Sequence, residues 1–317
     1  MDEFEIIQRF FARDRQADGV AIGVGDDGAV LTPGAGKNLV AVVDTLIEGR
    51  HFLATMNPAD IGWRAVAVNL SDIAAMGAVP RWMTLAVTLG DPDERWLENF
   101  AQGLYDAAAV AGVVLVGGDT TQGGLAVVTV QIIGEVEPNA ELSRTGAQPG
   151  DGVFVSGHPG DAAAGLAQLM ADTGASGALV ERFCRPQPRL QLGRELSSCA
   201  TACIDVSDGL AGDLQKLVTA SGVGAEVLLE SVPVSDALKN FAGDDAQEFA
   251  LQGGDDYELC FTAPESETRA VMAAGARCRT PVTRIGTVTA GNDLLFRRDG
   301  EPVSVDTAGY THFSLET

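Results

Sequence analysis

Residues 69–78 read Asn69-Leu70-Ser71-Asp72-Ile73-Ala74-Ala75-Met76-Gly77-Ala78, an apolar stretch with one carboxylate in its interior. Upstream, Asn57-Pro58 supplies a helix N-cap and a first-turn proline, and apolar residues follow at helical spacing. We therefore predict one helix that ends near Gly77 and carries Asp72 on a buried or half-buried face. A carboxylate in such a place costs free energy unless it is paired. Asp72 is the first candidate functional residue.

Other isolated aspartates stand beside glycine or at predicted strand ends. They are Asp26, Asp27, Asp44, Asp119, Asp205 and Asp208. Residues 39–45 predict a buried strand that ends at Asp44 and Thr45, and residues 113–121 predict a strand that runs into a glycine-carboxylate turn. Ionised carboxylates within about 4 Å would repel each other by about 4 kcal/mol per pair at an effective dielectric near 20, so a cluster of them needs cations. Magnesium held by carboxylates takes its remaining ligands from water and substrate phosphates. The pattern predicts a site with several Mg²⁺ ions and nucleotide chemistry.

The chain has 317 residues, of which 46% are hydrophobic and 21% charged. That length favours two domains, and prolines and glycines interrupt the periodicity between residues 137 and 150. We predict domains at 1–140 and 141–317. Strand runs combined with long helices, without strict βαβ alternation, indicate an α+β fold. No apolar run is long enough to cross a membrane, and the acidic start is unlike a signal peptide, so we expect a cytoplasmic protein.

The formal net charge of -23 argues against nucleic acid or an anionic membrane as partner, since both require basic patches. Much of this charge is explained by a soluble acidic surface. The five cysteines, all in the second half, form no CxxC pair and predict reduced thiols that mostly fill the core.

A dinucleotide-binding reading rests on Gly23-Val24-Gly25-Asp26-Asp27-Gly28, which matches GxGxxG, with Asp44 near the expected ribose-binding distance. That fingerprint requires a following helix whose amides face the pyrophosphate. Residues 29–33 instead predict a strand, and two carboxylates in the loop would repel phosphate. The three histidines, His51, His158 and His312, are too scattered to predict a triad or a zinc site from spacing alone.

Taken together, several motifs resemble one family from end to end. They are Gly25-Asp26-Asp27, Val43-Asp44-Thr45, His51-Phe52, the 69–77 stretch, Gly117-Gly118-Asp119-Thr120, Asp205-Val206-Ser207-Asp208-Gly209, Gly253-Gly254-Asp255-Asp256-Tyr257-Glu258-Leu259 and Gly309-Tyr310-Thr311-His312-Phe313. The combination resembles the thiamine-monophosphate kinase family, in the superfamily of aminoimidazole-ribotide synthetase. The resemblance implies a two-domain fold in which an N-terminal sheet domain dimerises and a C-terminal domain completes the site.

The activity implied by this resemblance is phosphorylation of thiamine monophosphate to thiamine diphosphate by ATP. By similarity the Mg²⁺ ligands would be Asp27, Asp44, Asp72, Asp119, Asp205 and Asp208. ATP would contact Gly118, Asp119, Arg144 and Ser207, while His51, Asp255 and Tyr310 would bind the thiamine phosphate. Asp44, Asp72, Asp119 and Arg144 would carry the catalysis.

The sequence departs from the family pattern at two places. Asp255 stands where the family usually has glutamate, so its substrate contact is one methylene shorter. Val42 and Val43 replace polar residues, so any metal contact there would come from backbone carbonyls. The implied chemistry needs no general base, because a phosphate monoester with a second pKa near 6 is already ionised at neutral pH. Charge neutralisation and in-line positioning are what remain.

Four alternatives follow from the same residues. Selenophosphate synthetase is disfavoured because no cysteine precedes Cys184. Aminoimidazole-ribotide synthetase would use a similar acidic scaffold on another acceptor, and the Gly309-Tyr310 ending favours the kinase. An acidic metal-binding scaffold would bind metal without nucleotide, and a nicotinamide oxidoreductase would bind NAD without magnesium. Neither of the last two explains an aspartate inside an apolar helix.

Overall fold

The structure is a computed structural model that describes residues 1–12, 17–91 and 93–310. The chain forms two compact units. Unit 1 comprises Met1–Ile73 and Ala78–Asn139, and unit 2 comprises Ala74–Gly77 and the chain from Ala140 onward. No helix in the described ranges is both long enough and apolar enough to span a membrane. The α+β class predicted from the sequence is confirmed.

Unit 1 is built on a four-stranded sheet with helices packed beside it. Its strands are β1 (Val20–Ile22), β2 (Val30–Leu31), β3 (Asn38–Ile47), β4 (Val79–Leu89), β5 (Val114–Gln122) and β6 (Val127–Val136). Its helices are α1 (Glu3–Ile6), which continues as a π-helical turn (Ile7–Phe11), α2 (Pro58–Ala75) and α3 (Glu94–Ala111). The large sheet has the order β3-β6-β4-β5, and only β4 and β5 run parallel. β1 and β2 form a separate antiparallel pair, so residues 29–33 do not start a helix.

Helix α2 begins and ends where its sequence signals predict. The Asn57 side chain accepts a hydrogen bond from the Ala59 N–H at 3.0 Å. At the other end Gly77 adopts a φ of 66°, and the Ala78 N–H donates to the Ile73 carbonyl at 3.1 Å. This closes the helix with a left-handed glycine cap. Asp72 lies one residue before Ile73 and is half-buried, as predicted.

Two expectations about unit 1 are wrong. β3 was expected to be a buried strand that ends at Asp44 and Thr45, but it runs on to Ile47 and lies at the sheet edge, so alternate side chains such as Val43 (58% exposed) face outward. The segment Gly117–Thr121 was expected to turn after its strand. It remains in β5 because its pairing with β4 continues through Asp119 opposite Ala86 to Gln122.

Unit 2 contains a seven-stranded sheet in the order β13-β12-β9-β11-β7-β10-β8, antiparallel except for β12 beside β9. Its strands are β7 (Gly152–Ser156), β8 (Ala202–Val206), β9 (Gly224–Leu228), β10 (Glu258–Ala263), β11 (Val282–Thr289), β12 (Leu294–Arg298) and β13 (Glu301–Val303). Its helices are α4 (Asp161–Ala171), α5 (Ala178–Cys184), α6 (Leu190–Leu196), α7 (Leu210–Ser221), α8 (Asp236–Ala242), α9 (Ala246–Gln252) and α10 (Thr268–Cys278), with short 3-10 turns at Leu229–Ser231, Gly243–Asp245 and Glu265–Glu267.

The interior of unit 2 lies around its central strands. Every residue of β7, β8 and β10 is buried. The five cysteines are free thiols, four of them buried, which confirms that most fill the core. The turns that follow these strands, rather than the strands themselves, are therefore the places where unit 2 exposes polar groups.

Candidate functional site

A pocket of about 380 Å³ in unit 1 brings two sequence-predicted carboxylates together. Asp27 and Asp119 both line it, with Asp26 and Gly118 beside them, and we call it the Asp27–Asp119 pocket. Asp27 comes from the loop after β1 and Asp119 from the edge strand β5. Both carboxylates are exposed. The pocket thus combines exposed negative charge with a glycine, Gly118, whose backbone carries no side chain into the space for a ligand.

Part of the lining of this pocket is apolar and comes from the N-terminal helical segment. Phe4, Ile7 and Phe11 line it. Helix α3 holds this segment in place, because the Tyr105 hydroxyl donates to the Phe11 carbonyl at 2.9 Å and Arg9 pairs with Glu94. A pocket lined by both apolar side chains and carboxylates suits a nucleotide. The faces of the base are apolar, and the phosphates bind to carboxylates through cations.

Gly118 is required by the sheet itself. A Cβ at this position would lie 1.8 Å from the Leu85 carbonyl oxygen, whereas one at Gly117 would meet nothing within 4 Å. Only residue 118 must therefore lack a side chain. The missing side chain lets β5 pack against β4 and leaves the backbone beside Asp119 bare.

Asp44 lies far from Asp119 within unit 1. It is half-buried on β3 and pairs in register with Val130 of β6. Asp119 pairs with Ala86 of β4, and β3 and β5 are the two edges of the sheet. Since neighbouring strands are about 4.8 Å apart, three strand spacings put the two aspartates about 14 Å apart. One copy of unit 1 does not bring them together.

His51 lies in the turn that follows β3. Its Nδ1 accepts a hydrogen bond from the Ile47 N–H at 3.0 Å. The neutral ring consequently carries its proton on Nε2, which can donate to a ligand oxygen. The half-buried ring is thereby fixed in orientation and tautomer by its own loop.

Unit 2 places another group of predicted residues at the end of β8. Asp205 is 5% exposed on the strand, and Ser207 and Asp208 form the turn into α7. The Asp213 carboxylate accepts the N–H groups of Ser207 and Asp208, each at 2.9 Å, which fixes the turn. Asp213 was not among the residues predicted from the sequence, although an acidic residue in the first turn of a helix is a recognisable signal.

Asp208 has a cationic partner that the sequence did not single out. The Lys216 ammonium lies 2.5 Å from the Asp208 carboxylate and 2.8 Å from that of Asp213. Burial disfavours the ammonium, but its hydrogen bonds to these two carboxylates outweigh that effect and raise the pKa of Lys216. A metal ion at Asp208 would have to share or displace this ammonium.

The loop that carries Asp255 packs against the same turn. The Asp255 N–H donates to the Ser207 carbonyl at 2.8 Å, and a Cβ at Gly254 would lie 2.5 Å from that oxygen. The C-terminal segment also comes close, since a Cβ added at Gly309 would lie 3.5 Å from the Cβ of Asp208. Tyr310 follows directly and is 49% exposed. Unit 2 thus brings Ser207, Asp208, Asp255 and the start of the Gly309 motif together, and Thr311-His312-Phe313 lies outside the described residues.

Arg144 occupies a different position in unit 2. Its side chain is exposed, and its carbonyl accepts a hydrogen bond from the Ser221 hydroxyl at 2.9 Å. Ser221 ends α7, whereas Ser207 and Asp208 precede that helix. The Arg144 backbone therefore lies at the opposite end of α7 from the turn. Only the long side chain of Arg144 could reach a ligand that also contacts Ser207 and Asp208.

The donor chemistry of the predicted ligands fits Mg²⁺. All six are carboxylates, the oxygen donors that a hard cation prefers, and Asp27 and Asp119 line an open pocket where an ion could keep several waters. Within the described ranges, no three His, Cys, Asp or Glu side chains are grouped closely enough to hold a metal ion. The centre with several Mg²⁺ ions stays a prediction.

Comparisons with known proteins cover nearly the whole chain. Residues 25–136 match the family "AIR synthase related protein, N-terminal domain", and residues 148–297 match "AIR synthase related protein, C-terminal domain". The thiamine-monophosphate kinase of Escherichia coli O157:H7 is 46% identical over 320 residues, 98% of each chain. The solved thiamine-monophosphate kinase from Stenotrophomonas maltophilia K279a has a TM-score of 0.86 and 42% identity, and covers 96% of this chain and 98% of its own. AaThiL complexed with AMPPCP and TMP has a TM-score of 0.80 and 34% identity over 92% of both chains.

Proposed function

This chain belongs to the thiamine-monophosphate kinase family, and on that premise we propose that it transfers the γ-phosphoryl group of ATP to thiamine monophosphate, giving thiamine diphosphate and ADP. The observation that carries the proposal is the 46% identity to the Escherichia coli enzyme across 98% of both chains. The relative complexed with AMPPCP, an ATP analogue, and TMP supports the choice of both substrates. The enzyme is accordingly a phosphotransferase whose acceptor is itself a phosphate group.

ATP would bind in the Asp27–Asp119 pocket. The apolar side formed by Phe4, Ile7 and Phe11 suits the adenine ring, and the carboxylate side suits phosphates only with cations between. When bound, Mg²⁺ would neutralise the phosphate charge and orient the γ-phosphoryl group for in-line transfer. Asp27, Asp44, Asp72, Asp119, Asp205 and Asp208 are the residues that would hold these ions. Gly118, Ser207 and Arg144 would add direct contacts to ATP.

Thiamine monophosphate would be bound by His51, Asp255 and Tyr310. Because the Nδ1 of His51 accepts the Ile47 N–H, the neutral ring carries its proton on Nε2, which is the nitrogen that would donate to an anionic oxygen. The carboxylate of Asp255 offers a negative charge that attracts the cationic thiazolium ring. Tyr310 is 49% exposed, so part of its side chain would be accessible to a ligand.

The reaction requires no general base from this chain. The acceptor phosphate is already ionised at neutral pH, because its second pKa is near 6. The residues have to bring two anions into line and to stabilise the charge on the transferring group, and the Arg144 guanidinium contributes to the second task. A site rich in carboxylates and poor in bases is consistent with that requirement.

We also propose that the enzyme acts as a homodimer in the cytoplasm. The dimer proposal rests on β3, an edge strand whose Leu39 and Val43 are 54% and 58% exposed. An edge strand with apolar residues on its open face is a surface that pairs readily with another chain. Cytoplasmic location stays a prediction from the sequence.

The test is ADP release from ATP and Mg²⁺ with thiamine monophosphate, thiamine and formylglycinamidine ribotide supplied as separate acceptors. Stimulation by thiamine monophosphate alone is the expected result. Stimulation by another acceptor would retain the fold and the metal chemistry but replace the substrate. Asp72→Asn should remove turnover through lost metal binding, and near-normal turnover of that variant at low Mg²⁺ would remove Asp72 from the ligand set.

A further inference from the structure

The segment that carries Asp255 is held in an unfavourable backbone conformation. Asp255 has a φ of 70° and Tyr257 a φ of 53°, both in the left-handed region that residues with side chains seldom adopt. Asp256 lies between them and is fully buried. Conformations of this kind persist only where the surroundings impose them, and they are concentrated at functional sites.

Asp256 fixes the middle of this segment. Its carboxylate accepts the Gly160 N–H at 2.6 Å and the Ala162 N–H at 3.1 Å, at the start of α4. These amides would otherwise lack partners in the first turn of the helix. The Arg182 guanidinium adds a hydrogen bond to the Asp256 carbonyl at 3.0 Å. Both the side chain and the main chain of Asp256 are therefore anchored.

Glu258 fixes the end of the segment. Its carboxylate has no solvent exposure and pairs with Arg182 at 2.8 Å. It also accepts hydrogen bonds from Arg189 Nε at 2.7 Å and from the Ser156 hydroxyl at 2.5 Å. A buried carboxylate with two guanidinium partners and a hydroxyl is fully satisfied, and such a network specifies one geometry.

Between these anchors the main chain and side chain of Asp255 are both directed. The Asp255 and Tyr257 N–H groups donate to the Ser207 and Val206 carbonyls, each at 2.8 Å. The Tyr257 hydroxyl donates to the Asp255 carboxylate at 3.1 Å, and its ring is 7% exposed. The Asp255 carboxylate thus takes its orientation from a buried neighbour.

We propose that Asp256, Tyr257 and Glu258 are positioning residues that present the Asp255 carboxylate to thiamine monophosphate, with Tyr257 setting its direction. This inference rests on the proposed function, because Asp255 acts there as a substrate residue. It adds to that function a set of residues that determine specificity for thiamine monophosphate. The Asp255 carboxylate makes the contact, and the buried frame of Asp256, Tyr257 and Glu258 holds it in place.

The test uses Tyr257→Phe, which removes only the hydroxyl. Steady-state kinetics of the full chain with ATP and Mg²⁺ should show the KM for thiamine monophosphate raised roughly tenfold, the scale of a lost hydrogen bond to a charged group. The KM for ATP and the melting temperature should stay near wild-type values. Thr201→Val is the matched control, because the Thr201 hydroxyl donates to the Asp151 carboxylate at 2.7 Å, also in unit 2. It should leave both KM values unchanged.

Asp256→Asn extends the test to the frame, since an amide oxygen and an amide nitrogen cannot both accept N–H groups. We expect a larger loss of kcat/KM for thiamine monophosphate than Tyr257→Phe gives; if this variant does not fold, Tyr257→Phe decides alone. An unchanged KM for thiamine monophosphate in Tyr257→Phe, or an equal rise in the KM for ATP, would overturn the inference while the proposed function stands. A wild-type enzyme that does not phosphorylate thiamine monophosphate would overturn both.

Discussion

Asp44 and Asp119 lie on opposite edges of the four-stranded sheet, Asp44 on β3 and Asp119 on β5. The separation of about 14 Å that three strand spacings impose is too long for one Mg²⁺ ion, whose ligands lie at about 2.1 Å. If both carboxylates bind the same Mg²⁺ ion, they must therefore come from two copies of the chain. The exposed apolar face of β3 is where a second copy would bind.

Mixing two inactive variants tests this arrangement. Asp44→Asn and Asp119→Asn should each lose nearly all turnover of thiamine monophosphate. After unfolding and refolding together, the mixture should regain about a quarter of wild-type activity, because about half of the dimers would be mixed and each would hold one intact site. A mixture as inactive as its components would exclude a centre built from Asp44 of one copy and Asp119 of the other.

The control for that experiment disrupts the proposed dimer. Val43→Glu puts a charge on the exposed face of β3, and we expect a monomer in sedimentation analysis and no recovery of activity on mixing. Met170→Glu changes another exposed apolar side chain, 72% exposed on α4, and should leave association and recovery intact. A Val43→Glu protein that remains dimeric would exclude β3 from the interface.

Alanine substitutions at the two adjacent glycines of β5 should have different effects on stability and activity. Gly118→Ala would put its Cβ 1.8 Å from the Leu85 carbonyl, so the strand must shift, at a cost of about 1–3 kcal/mol in unfolding free energy and most of the activity. Gly117→Ala meets nothing within 4 Å and should be tolerated. Urea unfolding and the KM for ATP measure both effects. Equal stability of the two variants would contradict the packing described here.

The apolar side of the Asp27–Asp119 pocket should contribute to nucleotide affinity. Phe4 lines the pocket although its side chain is 75% exposed, so Phe4→Ala should raise the KM for ATP about fivefold through about 1 kcal/mol of lost apolar contact, with little change in melting temperature. Phe241→Ala alters an exposed phenylalanine of unit 2 and should not affect that KM. If Phe4→Ala binds ATP normally, the adenine ring binds elsewhere.

The buried Glu258 network should give a defined pH dependence. Burial alone would raise the pKa of Glu258, but Arg189, Arg182 and Ser156 outweigh it and lower the pKa from 4.5. A carboxylate of this kind stabilises the native state above its unfolded pKa and loses that contribution as the pH falls through its folded pKa. The free energy of unfolding of Glu258→Gln should therefore be about 3–5 kcal/mol lower than that of the wild type at pH 7. This difference in unfolding free energy should shrink below pH 4.5.

The matched variant is Glu195→Gln, which removes an exposed pair with Arg277 at 2.7 Å. Its cost should be at most about 1 kcal/mol. Chemical denaturation from pH 7 down to pH 3 measures both variants. A Glu258→Gln deficit that is constant across this range would show that the carboxylate does not titrate as described.

The sequence predicted those features that depend on local signals. Helix α2 has an Asn57 cap and a Gly77 terminator, so both its limits and the position of Asp72 could be read directly. The exposure of β3 could not, because an edge strand and a central strand have the same apolar pattern and only the sheet order distinguishes them. The same long-range pairing kept Gly117–Thr121 in β5 where a glycine pair suggested a turn.

The sequence predicted the carboxylates of the site, but it did not predict the groups that hold those carboxylates in place. Asp213 and Lys216 act on Asp208 through contacts that only the turn before α7 creates. Arg182 and Arg189 meet Glu258 across more than sixty residues of chain, a pairing that no local pattern marks. Carboxylates next to glycine can be found from sequence, whereas their partners require the fold.

The most direct measurement is the product formed from thiamine monophosphate and ATP with Mg²⁺, followed by phosphorus NMR. The proposed function predicts that the monoester resonance of thiamine monophosphate disappears as two diphosphate resonances of thiamine diphosphate and those of ADP appear in equal amounts. Release of inorganic phosphate with thiamine monophosphate unchanged would contradict it and leave the acidic pocket as an ATP-hydrolysing or metal-binding site.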